Sequence, residues 1–92
     1  ERITDIVYRV SDEPGATRKE RKEKTYHKIR GHIHATVVKL CDRIANVEAS
    51  RDVPKKLNMY KAEYPDFKLQ LRLEEHTFLD SLWGELDQLL VD

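Results

Sequence analysis

The sequence predicts an all-α domain of about five helices, and three observations carry that prediction. Apolar residues recur three and four apart in several separate segments, the spacing that gathers them on one face of a helix. No segment alternates apolar and polar residues as a half-buried strand does. Finally, Gly 3 and Pro 3 in 92 residues are too few turn formers for a β-sandwich or a flexible linker.

Ile3, Ile6, Val7 and Val10 stand at i, i+3, i+4 and i+7 and predict a short amphipathic helix. Ser11-Asp12-Glu13-Pro14-Gly15-Ala16 ends it with turn chemistry. Arg18 to Arg30 reads as a second helix, anchored by Tyr26 and Ile29, whose polarity places the rest of it on the surface.

From His32 to Glu48, the residues Ile33, Val37, Leu40, Cys41, Ile44 and Val47 form one apolar stripe, so Cys41 is expected in the core. On that helix Asp42 points about 160° from the middle of the stripe. Asn46 sits one turn above it, with Lys39 and Arg43 beside them. Val38 and Ala45 flank this second face and predict that it is partly buried.

Asp52 as cap and Pro54 in the first turn open a fourth helix, which carries Leu57 and Tyr60 to about Glu63. Tyr64-Pro65-Asp66-Phe67 is expected to interrupt it, with a short turn continuing to Arg72. Thr77 with Asp80 resembles a capping box. The last helix then presents Phe78, Leu79, Leu82, Trp83, Leu86, Leu89 and Leu90 as a broad apolar face.

Lys+Arg 17 balance Asp+Glu 17, but unevenly along the chain. Arg18, Lys19, Arg21, Lys22, Lys24, Lys28 and Arg30 crowd one helix, against Glu20 and Glu23. From Leu73 onward there are six acids and no Lys or Arg. The basic block can hold phosphate or be a solvated helix face, and the acidic end argues against nucleic acid as a partner. The single cysteine excludes a disulfide framework and a multi-cysteine zinc site, and it fits a reducing cytosol. No run of roughly 18 apolar residues and no apolar leader is present, so a cytoplasmic protein with no membrane partner is expected. The chain begins without Met and reads as processed or as a piece of something longer.

Few residues offer chemistry. Ser11, Ser50 and Ser81 lack a nucleophile's context. His27, His32, His34 and His76 are not spaced to chelate a metal from one helix, and Gly15, Gly31 and Gly84 are too isolated for a phosphate loop. Asp42 stands apart. A carboxylate on a core helix is costly unless it is paired or metal-bound. Pairing with Arg43 or Lys39 and binding of a metal both remain open.

Val38-Lys39-Leu40-Cys41-Asp42-Arg43-Ile44-Ala45-Asn46-Val47 resembles the K-L-A-D-R-x-x-N signature of HD-domain phosphohydrolases, and more narrowly of their (p)ppGpp hydrolase branch. Upstream, Val10-Ser11-Asp12-Glu13-Pro14-Gly15 is similar to that branch's V-[TS]-D-[ED] turn, and Arg18-Lys19-Glu20-Arg21-Lys22 to its basic E-R-K block. Downstream, Lys56-Leu57-Asn58-Met59-Tyr60 and Leu82-Trp83-Gly84-Glu85-Leu86 fit the closing helices.

The resemblance implies a helical hydrolase with one divalent ion, usually Mn2+, held by a histidine, a His-Asp doublet and a later aspartate. Asp42 matches the later aspartate. Asn46 matches an asparagine near the substrate nucleotide, and Lys56 and Tyr60 match basic and aromatic substrate contacts. The implied reaction is attack of an ion-activated water on a phosphate ester, releasing pyrophosphate from the 3′ position of (p)ppGpp. NADPH is a related substrate.

This chain has no adjacent His-Asp pair. Residues 1–92 are therefore expected to be one HD-like domain incomplete on its N-terminal side, inactive alone, with no catalytic residue of its own assigned. The alternative is a non-catalytic HD-derived module that binds a nucleotide or a protein. Either way, the third or last helix should expose apolar surface for a partner chain or a second copy.

Overall fold

A computed structural model describes residues 3–73 and 76–91 of the chain. Five α-helices occur among them: α1 (Ile3–Val10), α2 (Arg18–Ile29), α3 (Ile33–Ala49), α4 (Pro54–Leu71) and α5 (Asp80–Leu90), the last preceded by a 3-10 turn at Thr77–Leu79. No strand occurs among the described residues, as the sequence predicts. Glu74, Glu75 and Asp92 of the acidic run lie outside them.

The helix ends follow local chemistry. The Thr17 side chain accepts from the Glu20 amide at 3.1 Å and starts α2. Gly31, at φ +80°, turns the chain out of α2 in the left-handed region where glycine is unstrained. His32 then starts α3, its Nδ1 accepting from the Ala35 amide at 3.2 Å. The residue at the start of α4 is Val53, without a side-chain cap, so the expected Asp52 cap is not used; Pro54 occupies the first turn as expected. The expected Thr77–Asp80 capping box is also absent. Thr77 lies in the 3-10 turn, and Asp80 instead receives Arg72 at 3.1 Å.

α4 does not break at Pro65. It runs on to Leu71. The proline forfeits one backbone bond and strains the turn before it, at about 3 kcal/mol. Against this, Tyr64, Phe67 and Leu71 fall on one face and are each 4% exposed or less. Burying each such side chain contributes about 1.5–3 kcal/mol, so packing outweighs the local breaker.

Phe67 is the centre of the core. Its ring meets Tyr26 of α2 edge-on at 5.5 Å and Trp83 of α5 at 5.6 Å. Leu40, Ile44 and Val47 of α3, with Leu86 and Leu90 of α5, belong to the same buried cluster. Phe78, expected on the apolar face of the last helix, is exposed instead.

The buried arc of α3 is turned from the apolar stripe by about 80° at 100° per residue. Cys41 falls outside it and is exposed, contrary to its expected core role. Thr36, Lys39 and Arg43 fall inside it and are buried. Val38, Ala45, Asp42 and Asn46 are exposed, so the second face is buried only along its Lys39–Arg43 edge. The cause is α4, which offers Arg43 a carboxylate and two rings.

α1 forms as predicted, yet none of its residues is buried. Its attachment is largely polar. The Lys28 ammonium donates to the carbonyls of Tyr8 and Ser11 at 2.8 and 2.9 Å, and Arg9 donates to the Lys28 carbonyl at 2.8 Å. Ile3, Val7 and Tyr8 are exposed, while most of the α3 stripe and the α5 core face are covered. Exposed apolar side chains are therefore spread over α1, over Leu69 of α4 and over Phe78 and Val91 at the two ends of α5, and α3 adds only Val38. No helix among the described residues is long and apolar enough to cross a membrane.

Candidate functional site

Lys39, Asp42, Arg43 and Asn46 stand at i, i+3, i+4 and i+7, so α3 turns all four to one side. That side forms the floor of a cleft of about 450 Å³. Val10, Ser11 and Asp12 close one wall, Arg18 and Lys22 of α2 another, and Tyr60 of α4 the third.

The lining is a network of charges. Glu63 of α4 accepts from both Arg18 of α2 and Arg43 of α3, the latter at 3.2 Å, and so ties three helices together behind the cleft. Arg43 is buried, with its guanidinium 4.5 Å from the Phe67 ring centre and 5.0 Å from that of Tyr60. It also donates to the Tyr26 hydroxyl at 3.5 Å. Burial pushes that hydroxyl's pKa above its ordinary value, so it stays protonated.

Lys22 donates to both oxygens of Asp12, at 2.9 and 3.1 Å. Burial opposes the charge on Asp12, but the Lys22 hydrogen bond and charge outweigh it and hold the carboxyl below its usual range. Lys39 is displaced in the opposite sense. Burial, and after it the charge of Lys22, push its ammonium below the ordinary lysine range. On the open side, Asn46 donates to Asp42 at 3.3 Å.

Of the residues singled out from the sequence, Asp42, Asn46 and Tyr60 come together in this cleft. Lys56 does not line it and is exposed on α4. Asp12, Arg18 and Lys22 join the site through the fold. Their signal in the sequence was the turn and the basic block, but not which of those cations would face Asp42.

The fit to a divalent ion is partial. Asp42 presents a carboxylate on the open side of the cleft, but the other carboxylate there, Asp12, is held by Lys22. Among the described residues no group of three or more His, Cys, Asp or Glu side chains could hold a metal ion. A catalytic ion ordinarily has about three protein ligands, so these residues do not form its site by themselves. What the arrangement can do is bind an anion beside an aromatic ring. Compared with protein-family models, curated proteins and solved structures, the chain matches none of them.

Proposed function

We propose that this chain is the C-terminal portion of an HD-domain phosphohydrolase acting on a nucleotide, with (p)ppGpp as its substrate and NADPH as the related candidate. The observation that carries this reading is the meeting of Asp42, Asn46 and Tyr60 in one cleft with Arg18, Lys22, Lys39 and Arg43. A phosphate ester needs its charge neutralised before a nucleophile can approach, and fixed cations supply that without reorganisation. Tyr60, with Arg43 stacked against it, offers a flat surface for a base. Asn46 can donate to or accept from ligand atoms beside Asp42. The Mn2+ of the implied reaction would take Asp42 as one ligand, and its remaining ligands would come from outside the described residues. The chain alone is then inactive.

The test uses a longer protein carrying the upstream His and His-Asp ligands. Asp42→Ala should abolish Mn2+ binding and pyrophosphate release while the helical circular dichroism persists, because Asp42 is exposed. Asn46→Ala should weaken nucleotide binding more than metal binding. Hydrolysis that survives Asp42→Ala, or a collapsed fold, would defeat the assignment.

A second reading follows from Asp12 being held by Lys22 and from no metal-ligand group occurring among the described residues: an HD-derived module that holds a nucleotide or a partner protein without turnover. It predicts nucleotide binding by these 92 residues alone and no hydrolysis when the upstream segment is supplied.

A further inference from the structure

Four cations line the cleft, and three have partners within the protein. Arg18 and Arg43 share Glu63, and Lys22 takes both oxygens of Asp12. Lys39 is only 6% exposed, yet among the described residues its ammonium makes no hydrogen bond or ion pair. Buried ammonium groups are ordinarily paired, because an unpaired one forfeits its hydration without return.

No buried side-chain nitrogen or oxygen among the described residues lacks a partner, so the tip of Lys39 is not sealed away but reaches the cleft. The neighbouring charge that weighs most on Lys39 is Lys22, a like charge from the opposite wall. Asp12 attracts it but is already engaged by Lys22. Asp42, the other carboxylate of the lining, attracts it more weakly and accepts from Asn46. Two ammoniums facing one space repel each other until an anion stands between them. A compact dianion with several acceptor oxygens answers both, and phosphate is such a group.

We propose that Lys39 is the anion-recognising residue of this cleft, receiving a phosphate group of the ligand between its ammonium and that of Lys22 without help from a metal ion. The proposal rests on reading the cleft as the ligand site, and not on hydrolysis. It also gives the buried lysine on the apolar helix a purpose that pairing with Asp42 does not.

The experiment is an amide NMR titration of this chain with inorganic pyrophosphate, at low salt and with EDTA present. Saturable shifts are expected at Ser11, Lys39 and Asn46. Lys39→Met keeps the packing but removes the charge, and should weaken binding roughly tenfold, the loss of one charge-assisted hydrogen bond. Lys39→Arg should retain most of the affinity, and Lys55→Met, at an exposed position outside the cleft, all of it. Absence of saturable shifts, or parental affinity in Lys39→Met, overturns the proposal.

Should Lys39→Met fail to fold, acetylation of the unsubstituted chain decides the matter. Pyrophosphate should slow modification of Lys39 but not of the exposed Lys55, and equal protection of both, or of neither, overturns the proposal. The two readings fail separately. Lys39-dependent binding alongside hydrolysis that ignores Asp42 removes the hydrolase and leaves the anion site. Asp42-dependent hydrolysis with no role for Lys39 does the reverse.

Discussion

Glu63→Gln is expected to destabilise the protein far more than a half-buried surface charge normally would. Glu63 keeps 20% of its side chain exposed, but it is the shared anion of Arg18 and Arg43. The Arg43 side chain is 3% exposed and has no other anionic partner within 4 Å among the described residues. Removing one partner of a buried pair costs about 3–5 kcal/mol, because the remaining charge is stranded. The contacts of Arg43 with Phe67 and Tyr60 are the same before and after the change and cancel, but the amide oxygen of the new side chain can still accept from Arg43, which returns about 1.5 kcal/mol. The Arg18 arm is more than a third exposed and adds little.

The net loss expected is about 2–3 kcal/mol. Against a total of about 5–14 kcal/mol for a domain this size, that should lower Tm by roughly 10–20 °C. Urea unfolding at neutral pH, followed by circular dichroism and by the fluorescence of the buried Trp83, measures it. The double variant Glu63→Gln with Arg43→Met should recover most of the loss, since exchanging a buried pair for apolar side chains is close to neutral. A single-variant loss below about 0.5 kcal/mol, the scale of an ordinary surface change, would refute the reasoning. So would a double variant no more stable than the single one.

Cys41→Ala should change stability by less than about 0.5 kcal/mol, and the native thiol should react with a disulfide reagent without unfolding, because Cys41 is exposed. Pro65→Ala should raise stability by about 2–2.5 kcal/mol in urea: the interior proline costs about 3 kcal/mol, partly offset by about 0.4–1 kcal/mol from its restriction of the unfolded chain. Asp12 and Asp87 both ionise below the ordinary 3.8, because hydrogen bonds from Lys22, and from Tyr64 and Lys68, outweigh the burial that opposes their charge. Their contribution is therefore complete above the unfolded-state pKa and lost as pH falls through the lower folded values. Urea midpoints should drop below about pH 4, and less steeply in Asp87→Asn. At the other extreme, burial and the Asp87 carboxylate raise the Tyr64 hydroxyl above its ordinary 10.0. Its share of stability is full below that value and declines as pH rises beyond it.

Much of the candidate site was legible because helical spacing is a local property. Asp42 and Asn46 share a face in any α-helix, and Lys39 and Arg43 adjoin them by the same arithmetic. Tyr60 was found through the resemblance and lies in the cleft, whereas Lys56, four residues earlier, faces solvent. The reach of Arg18 and Lys22 across to α3 could not be read, because it depends on how the Ser11–Ala16 turn sets α2 against α3. Pro65 was read by its local effect. The stripe of Tyr60, Tyr64, Phe67 and Leu71, which continues through it, was the stronger signal.

By itself the sequence determined the all-α class, the start of each helix to within a residue or two, and most of the buried apolar residues of α3 and α5. These follow from backbone geometry and periodicity within single segments. Tertiary structure decided which edge of each stripe turns inward. A Glu63 carboxylate and two aromatic rings on α4 make a buried Arg43 tolerable, and the rotation that buries it exposes Cys41. The same rotation draws Lys39 under the cleft. An ion pair between distant helices leaves no period in the sequence, and its energy exists only once the helices have met.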